Sequence, residues 1–162
     1  MRDRGAGRGA SPGRGGFTLV ELMIVLVILG LLAALVTPAA KRHIDNARTA
    51  VAILNVRLLE EEIETFHATS GALPDNLGQI GRADFEDPWG ALYVYTRIEG
   101  AKPKPNPGKL RKDHFLVPIN SDFDLYSIGE DGKSAPPVGN GPGQDDIVRA
   151  NNGSYVGLGV NF

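Results

Sequence analysis

Cysteine is absent from the 162 residues. No disulfide can brace the fold, and no thiolate metal site or cysteine nucleophile is available. Any staple for a small, loop-rich domain must therefore be something else, such as a metal ion or neighbouring subunits. Histidine is scarce, and His43, His67 and His114 share no metal-ligand spacing. No phosphate-binding G-x-x-x-x-G-K-[ST] pattern occurs at Gly129–Gly132 or elsewhere. Asp122 and Asp124 do not follow EF-hand spacing, and Ser127 and Ser134 have no nearby His–Asp arrangement that would make either a nucleophile. No catalytic constellation emerges, so the chain is not expected to be an enzyme. The body of the chain has no net excess of cations either. Arg2, Arg4, Arg8 and Arg14 against Asp3 give residues 1–16 a charge of +3, which leaves −5 for the remainder of a −2 total. An acidic body argues against non-specific nucleic-acid binding.

What is present is unevenly spread. Residues 1–16 are rich in glycine and arginine, lack apolar periodicity and are predicted to be disordered. Phe17–Val36 then reads FTLVELMIVLVILGLLAALV, about the length of one bilayer crossing. A secretory signal has a shorter apolar core and an A-x-A-like site directly after it; here Thr37-Pro38 follows instead. This favours a retained single span, with the arginines holding its start in the cytoplasm and the remainder outside.

Helical spacing continues beyond the span. Ile44, Ala47, Val51, Leu54 and Leu58 recur on one face, with Ile63 and Phe66 on a related one, and this stripe is read as core packing against a sheet. The expectation is one helix from about Thr18 to about Thr69, kinked or loosened at Pro38 and ended by Gly71. Leu73–Leu77 and Asp87–Gly90 read as turns, with Trp89 packing against the helix. Leu92–Ile98, Phe115–Ile119 and Phe123–Ser127 are strand candidates. Ala101–Lys112 reads as an exposed loop, Ile147-Val148 as an apolar interruption of a Gly/Pro-rich stretch, and Ser154–Phe162 as a last short strand.

Glu21 lies one helical turn inside the apolar run. Burying an unpaired carboxylate there costs several kcal/mol, starting from about 2.5–3.5 at mid-span, and the span holds no Lys or Arg. A cut between Gly16 and Phe17 would create an α-amino group on Phe17. A neighbouring, axially shifted copy could offer that amine to Glu21, so that two buried charges offset each other and set the stagger.

Gly16-Phe17-Thr18-Leu19-Val20-Glu21 before an apolar span resembles the leader site of type IV pilins and type II secretion pseudopilins. The resemblance implies cleavage after Gly16 by a membrane peptidase, N-methylation of Phe17, and a helix-loosening role for Pro38. Further on, the segments around Leu73–Leu77, Asp87–Gly90 with Tyr93 and Tyr95, Asp122–Lys133 and Asp145–Val148 resemble the major pseudopilins of type II secretion. That family implies an α+β, pilin-like fold: a long N-terminal helix, transmembrane in its first half, packed on a small antiparallel sheet with a C-terminal metal-binding loop. Residues 1–16 would be a cleaved leader, 17–37 the transmembrane and assembly helix, and 38–162 the periplasmic domain.

Asp131, Asp145 and Asp146 on a Gly/Pro-rich loop suit Ca²⁺, which takes oxygen ligands. The resemblance implies a structural Ca²⁺ held by these three side chains with the carbonyls of Ile128 and Lys133. It also implies partners: further copies in a helical homopolymer, minor pseudopilins, the prepilin peptidase and methyltransferase, membrane lipid, an inner-membrane platform and a cytoplasmic ATPase, with no nucleic acid. Three departures stand out: an enlarged Ala101–Asp113 loop, a longer Ser134–Gln144 stretch and a tail at Arg149–Phe162. A type IV pilin for adhesion, motility or DNA uptake is the alternative of the same class. A membrane-anchored periplasmic binding protein or enzyme is the alternative of another.

Overall fold

The computed structural model describes residues 16–162, the side chains of 35–39 excepted. Residues 1–15, and with them the expectation of a disordered leader, lie outside the described residues. The chain divides into two units, 1–42 and 43–162.

Helix α1 runs from Leu19 to Ser70, within a residue of the expected bounds at both ends. It keeps its helical assignment through position 38, so the expected loosening at Pro38 does not interrupt it. Its last turn closes where Gly71, at φ 76°, donates its N–H to the carbonyl of His67 at 2.9 Å. In the first unit the apolar side chains from Leu19 to Leu32 are exposed. Among the described residues no helix is long and apolar enough to cross a membrane.

In the second unit, strands β1 (Val94–Arg97), β2 (Phe123–Ser127), β3 (Ile147–Ala150) and β4 (Tyr155–Leu158) form an antiparallel meander in that order. The alternation along β2 and β3 assigns the two faces of the sheet. Phe123, Leu125 and Ile147 join Ala52, Val56, Leu59 and Ile63 of α1 in the main core, with Leu73, Leu77 and Tyr93. Trp89 packs against this cluster. Val148 and Ala150 point the other way and bury with Ile119 and Val138 from the loops, against Tyr126, Tyr155 and Phe162. The sheet is thus covered on both faces, by the helix and by loops.

Two expectations need correcting. The buried face of α1 is Ala52, Val56, Leu59 and Ile63; of the expected stripe Ile63 is buried and Phe66 half-buried, whereas Ile44, Ala47, Val51, Leu54 and Leu58 are exposed. At 3.6 residues per turn the two stripes lie roughly 130° apart, and spacing alone does not say which one meets the sheet. Phe115–Ile119 is not a strand. The Asp113 carboxylate accepts the N–H groups of Phe115 and Val117, both at 2.8 Å, and this local turn competes with any ladder. Leu116 accordingly sits at φ 62°.

Candidate functional site

The segment around the Gly16–Phe17 bond leaves its residues open. Phe17 is 84% exposed, and a Cβ built on Gly16 would meet nothing within 4 Å. Nothing in the folded chain therefore demands glycine at 16. Four residues beyond Phe17, Glu21 is already partnered. Its carboxylate accepts the Thr18 N–H at 2.9 Å and the Thr18 hydroxyl at 3.0 Å, while its own N–H donates to the Thr18 Oγ1 at 3.2 Å. This is a capping box: Thr18 and Glu21 satisfy N–H groups that the first turn of α1 would otherwise leave orphaned. The T-x-x-E spacing signals it, yet a sequence argument centred on membrane burial passes over it.

At the far end of the chain, the C-terminal loop carries Asp131, Asp145 and Asp146. Two of these meet: the Asp145 carboxylate accepts the Asp131 N–H at 2.9 Å, and Asp131 accepts the Lys133 N–H at 2.7 Å. The backbones of Gly129 and Asp145 come so close that a Cβ on Gly129 would lie 2.5 Å from the Asp145 carbonyl oxygen. Ile128 and Lys133, whose carbonyls complete the expected ligand set, flank the 129–132 turn. Among the described residues, no group of three or more acidic or histidine side chains is placed to hold a metal ion.

Asp146 is directed elsewhere. It is fully buried and forms an ion pair with Arg111, whose side chain is 3% exposed. The Ser134 hydroxyl donates to the same carboxylate oxygen at 2.6 Å. Burial pushes the Asp146 carboxyl up to about 6, against the opposing pull of Ser134 and Arg111. Its second oxygen, Oδ1, and the Arg111 Nε are buried without a protein partner. An orphaned carboxylate oxygen suits a cation, but a guanidinium already neutralises the group. A divalent ion added beside that buried positive charge would be repelled. As folded, the donor set does not fit a calcium ion.

Asp87 holds the next layer. Its carboxylate accepts the Trp89 and Ala91 N–H groups at 3.0 and 2.9 Å and the Ser127 hydroxyl, while the Ser127 Oγ accepts the Gly129 N–H at 3.1 Å. The Asp-Pro-Trp-Gly turn is thereby tied to the start of the C-terminal loop.

An uncapped surface of apolar residues on a long helix, a capped start directly after an open Gly–Phe bond, and a meander packed on the second half of that helix define a pilin-like subunit. The family model for the prokaryotic N-terminal methylation motif matches residues 12–37. Type II secretion system core protein G of Pseudomonas aeruginosa is 30% identical over 73% of this chain and 84% of its own length. The protein of the same name from Dickeya chrysanthemi is also 30% identical, over 72% of this chain and 78% of its own. The type IV major fimbrial protein FimA of Dichelobacter nodosus is 31% identical over 87% of this chain and 84% of its own length. No solved structure matches. The chain belongs to the type II secretion core protein G family, the major pseudopilins, with type IV pilins as its relatives.

Proposed function

We propose that the chain is the structural subunit of a type II secretion pseudopilus. The precursor waits in the inner membrane as a single span, its N-terminus cytoplasmic and its C-terminal domain periplasmic. A prepilin peptidase and methyltransferase cuts between Gly16 and Phe17 and methylates the new terminus. Processed subunits then polymerise through their first helical half into a helical fibre, with minor pseudopilins as companions. An inner-membrane platform and a cytoplasmic ATPase supply the work, and growth of the fibre drives folded proteins across the outer membrane. The chain itself catalyses nothing in this scheme.

The observation that carries the reading is the run of exposed apolar side chains along the first half of α1, Leu19 to Leu32. A helix that is apolar all round needs lipid or other helices for cover. Lipid supplies that cover before assembly, and neighbouring copies supply it afterwards. The unconstrained Gly16 supports the same reading: the residue is needed by something other than this chain's own fold.

Deletion of the gene should abolish export of type II substrates while leaving them folded in the periplasm, and expression of the chain in trans should restore export. The FimA match favours a second reading, a type IV pilin. Normal export in the deletion strain, with loss of surface fibres, would establish the pilin reading instead.

A further inference from the structure

We propose that Arg111 is the clamp of the C-terminal loop, a fixed cation standing where the family resemblance expects calcium, so that this domain folds independently of calcium. The inference does not depend on fibre formation.

Arg111 reaches three oxygens of the kind a hard cation would take. One terminal nitrogen donates to the Ser134 hydroxyl and the Ala135 carbonyl, both at 2.6 Å, and the other pairs with the Asp146 carboxylate. Its guanidinium lies 4.3 Å from the centre of the Tyr126 ring, which covers one face. Hydroxyl, carbonyl and carboxylate thus come from both ends of the 134–146 stretch, and a single side chain closes it.

The backbone holds this side chain in place. The Arg111 N–H donates to Asp124 on β2 at 2.8 Å, and the Arg111 carbonyl accepts the Ile119 N–H at 3.1 Å. Next to it, Lys112 donates to the Pro136 carbonyl at 2.8 Å and accepts the Val138 N–H at 2.9 Å. The 110–113 segment is therefore laced between the 117–119 turn and the C-terminal loop. Gly143 completes the fit: a Cβ there would fall 2.7 Å from the Pro137 carbonyl oxygen and 3.5 Å from Arg111.

Charge settles the choice between the two staples. The guanidinium pairs with the buried Asp146 carboxylate, while the equally buried Asp124 carboxylate takes the Arg111 N–H and the Asn120 amide instead. A buried ion pair persists only where hydrogen bonds meet its remaining donors and acceptors, and Ser134, Ala135 and Tyr126 do most of that here. The 101–113 loop and the 134–144 stretch are the two partners of this clamp.

The test is thermal unfolding of the full-length protein in detergent micelles, followed by circular dichroism. The melting temperature of the wild type should be the same in EGTA and in millimolar Ca²⁺, and isothermal titration with CaCl₂ should give no binding heat. R111Q and D146N should each lower the melting temperature, and the double variant should lose far less than the sum of the two, as expected of groups that act on each other. Should R111Q fail to fold, S134A and the wild-type titration decide: S134A should melt lower, again irrespective of Ca²⁺. A wild-type melting temperature that falls in EGTA and recovers with Ca²⁺ would overturn the proposal, as would additive losses in the double variant.

Discussion

Arg149 carries its charge at 1% exposure, and its surroundings account for that. Its guanidinium pairs with both Asp122 oxygens at 2.9 and 2.7 Å and with Glu60 of α1 at 2.7 Å, and it lies 3.9 Å from the centre of the Phe123 ring. Burial works against the charge, yet Asp122 and Glu60 hold the guanidinium pKa above its ordinary value. Removing one partner of such a buried pair leaves the others uncompensated, so Arg149→Ala should cost about 3–5 kcal/mol in a denaturant titration. Gly153 approaches the same cluster at φ 90°, where a Cβ would fall 2.0 Å from the Glu60 Oε1. Gly153→Ala should therefore destabilise the domain by more than about 1 kcal/mol. Tyr93 sets an alkaline limit. Burial pushes its hydroxyl up to about 12, with Asn55 opposing and Asp87 adding to the shift. The unfolded hydroxyl titrates near about 10. The contribution of Tyr93 is thus intact below that value and is lost as the pH rises through about 12. Melting temperatures should be level through neutral pH and decline across that alkaline window.

At the scale of elements, the second half of α1 carries two apolar stripes with different duties. Leu59 is fully buried in the main core, whereas Leu54 is 66% exposed. Leu59→Ala should cost about 2–5 kcal/mol, while Leu54→Ala should stay within about 0.5 kcal/mol, both measured by chemical denaturation of the full chain. The helix itself was legible in the sequence because an unbroken apolar run leads into a helical period and Gly71 ends it. β2 was legible from its aromatic and apolar residues, and its bounds match. The choice of stripe was not legible, because Ile44–Leu58 and Ala52–Ile63 satisfy the helical period equally well. Nor was the Phe115–Ile119 turn, which depends on one Asp113 carboxylate capturing two amides. The Arg111–Asp146 and Arg149–Glu60 pairs join residues far apart in the chain, and no local spacing announces either. By contrast, the Thr18–Glu21 capping box was available from spacing alone.

For the whole molecule, the capping box sharpens the role proposed for Glu21. Its carboxylate is held by Thr18 within a single chain, so the amine of a neighbouring Phe17 would have to share or displace that contact during assembly. Gln at 21 keeps the capping geometry while removing the charge. Glu21→Gln should therefore leave leader cleavage and α1 intact yet reduce fibre yield, read by shearing and electron microscopy; normal fibres would argue against the charge pairing. Both ideas rest on one event, the release of a new N-terminus at Phe17. Mass spectrometry of the mature protein from its native membranes tests that event most directly. The account predicts a chain that lacks residues 1–16 and begins with N-methylated Phe17; an intact Met1, or a terminus near Ala40, would contradict it.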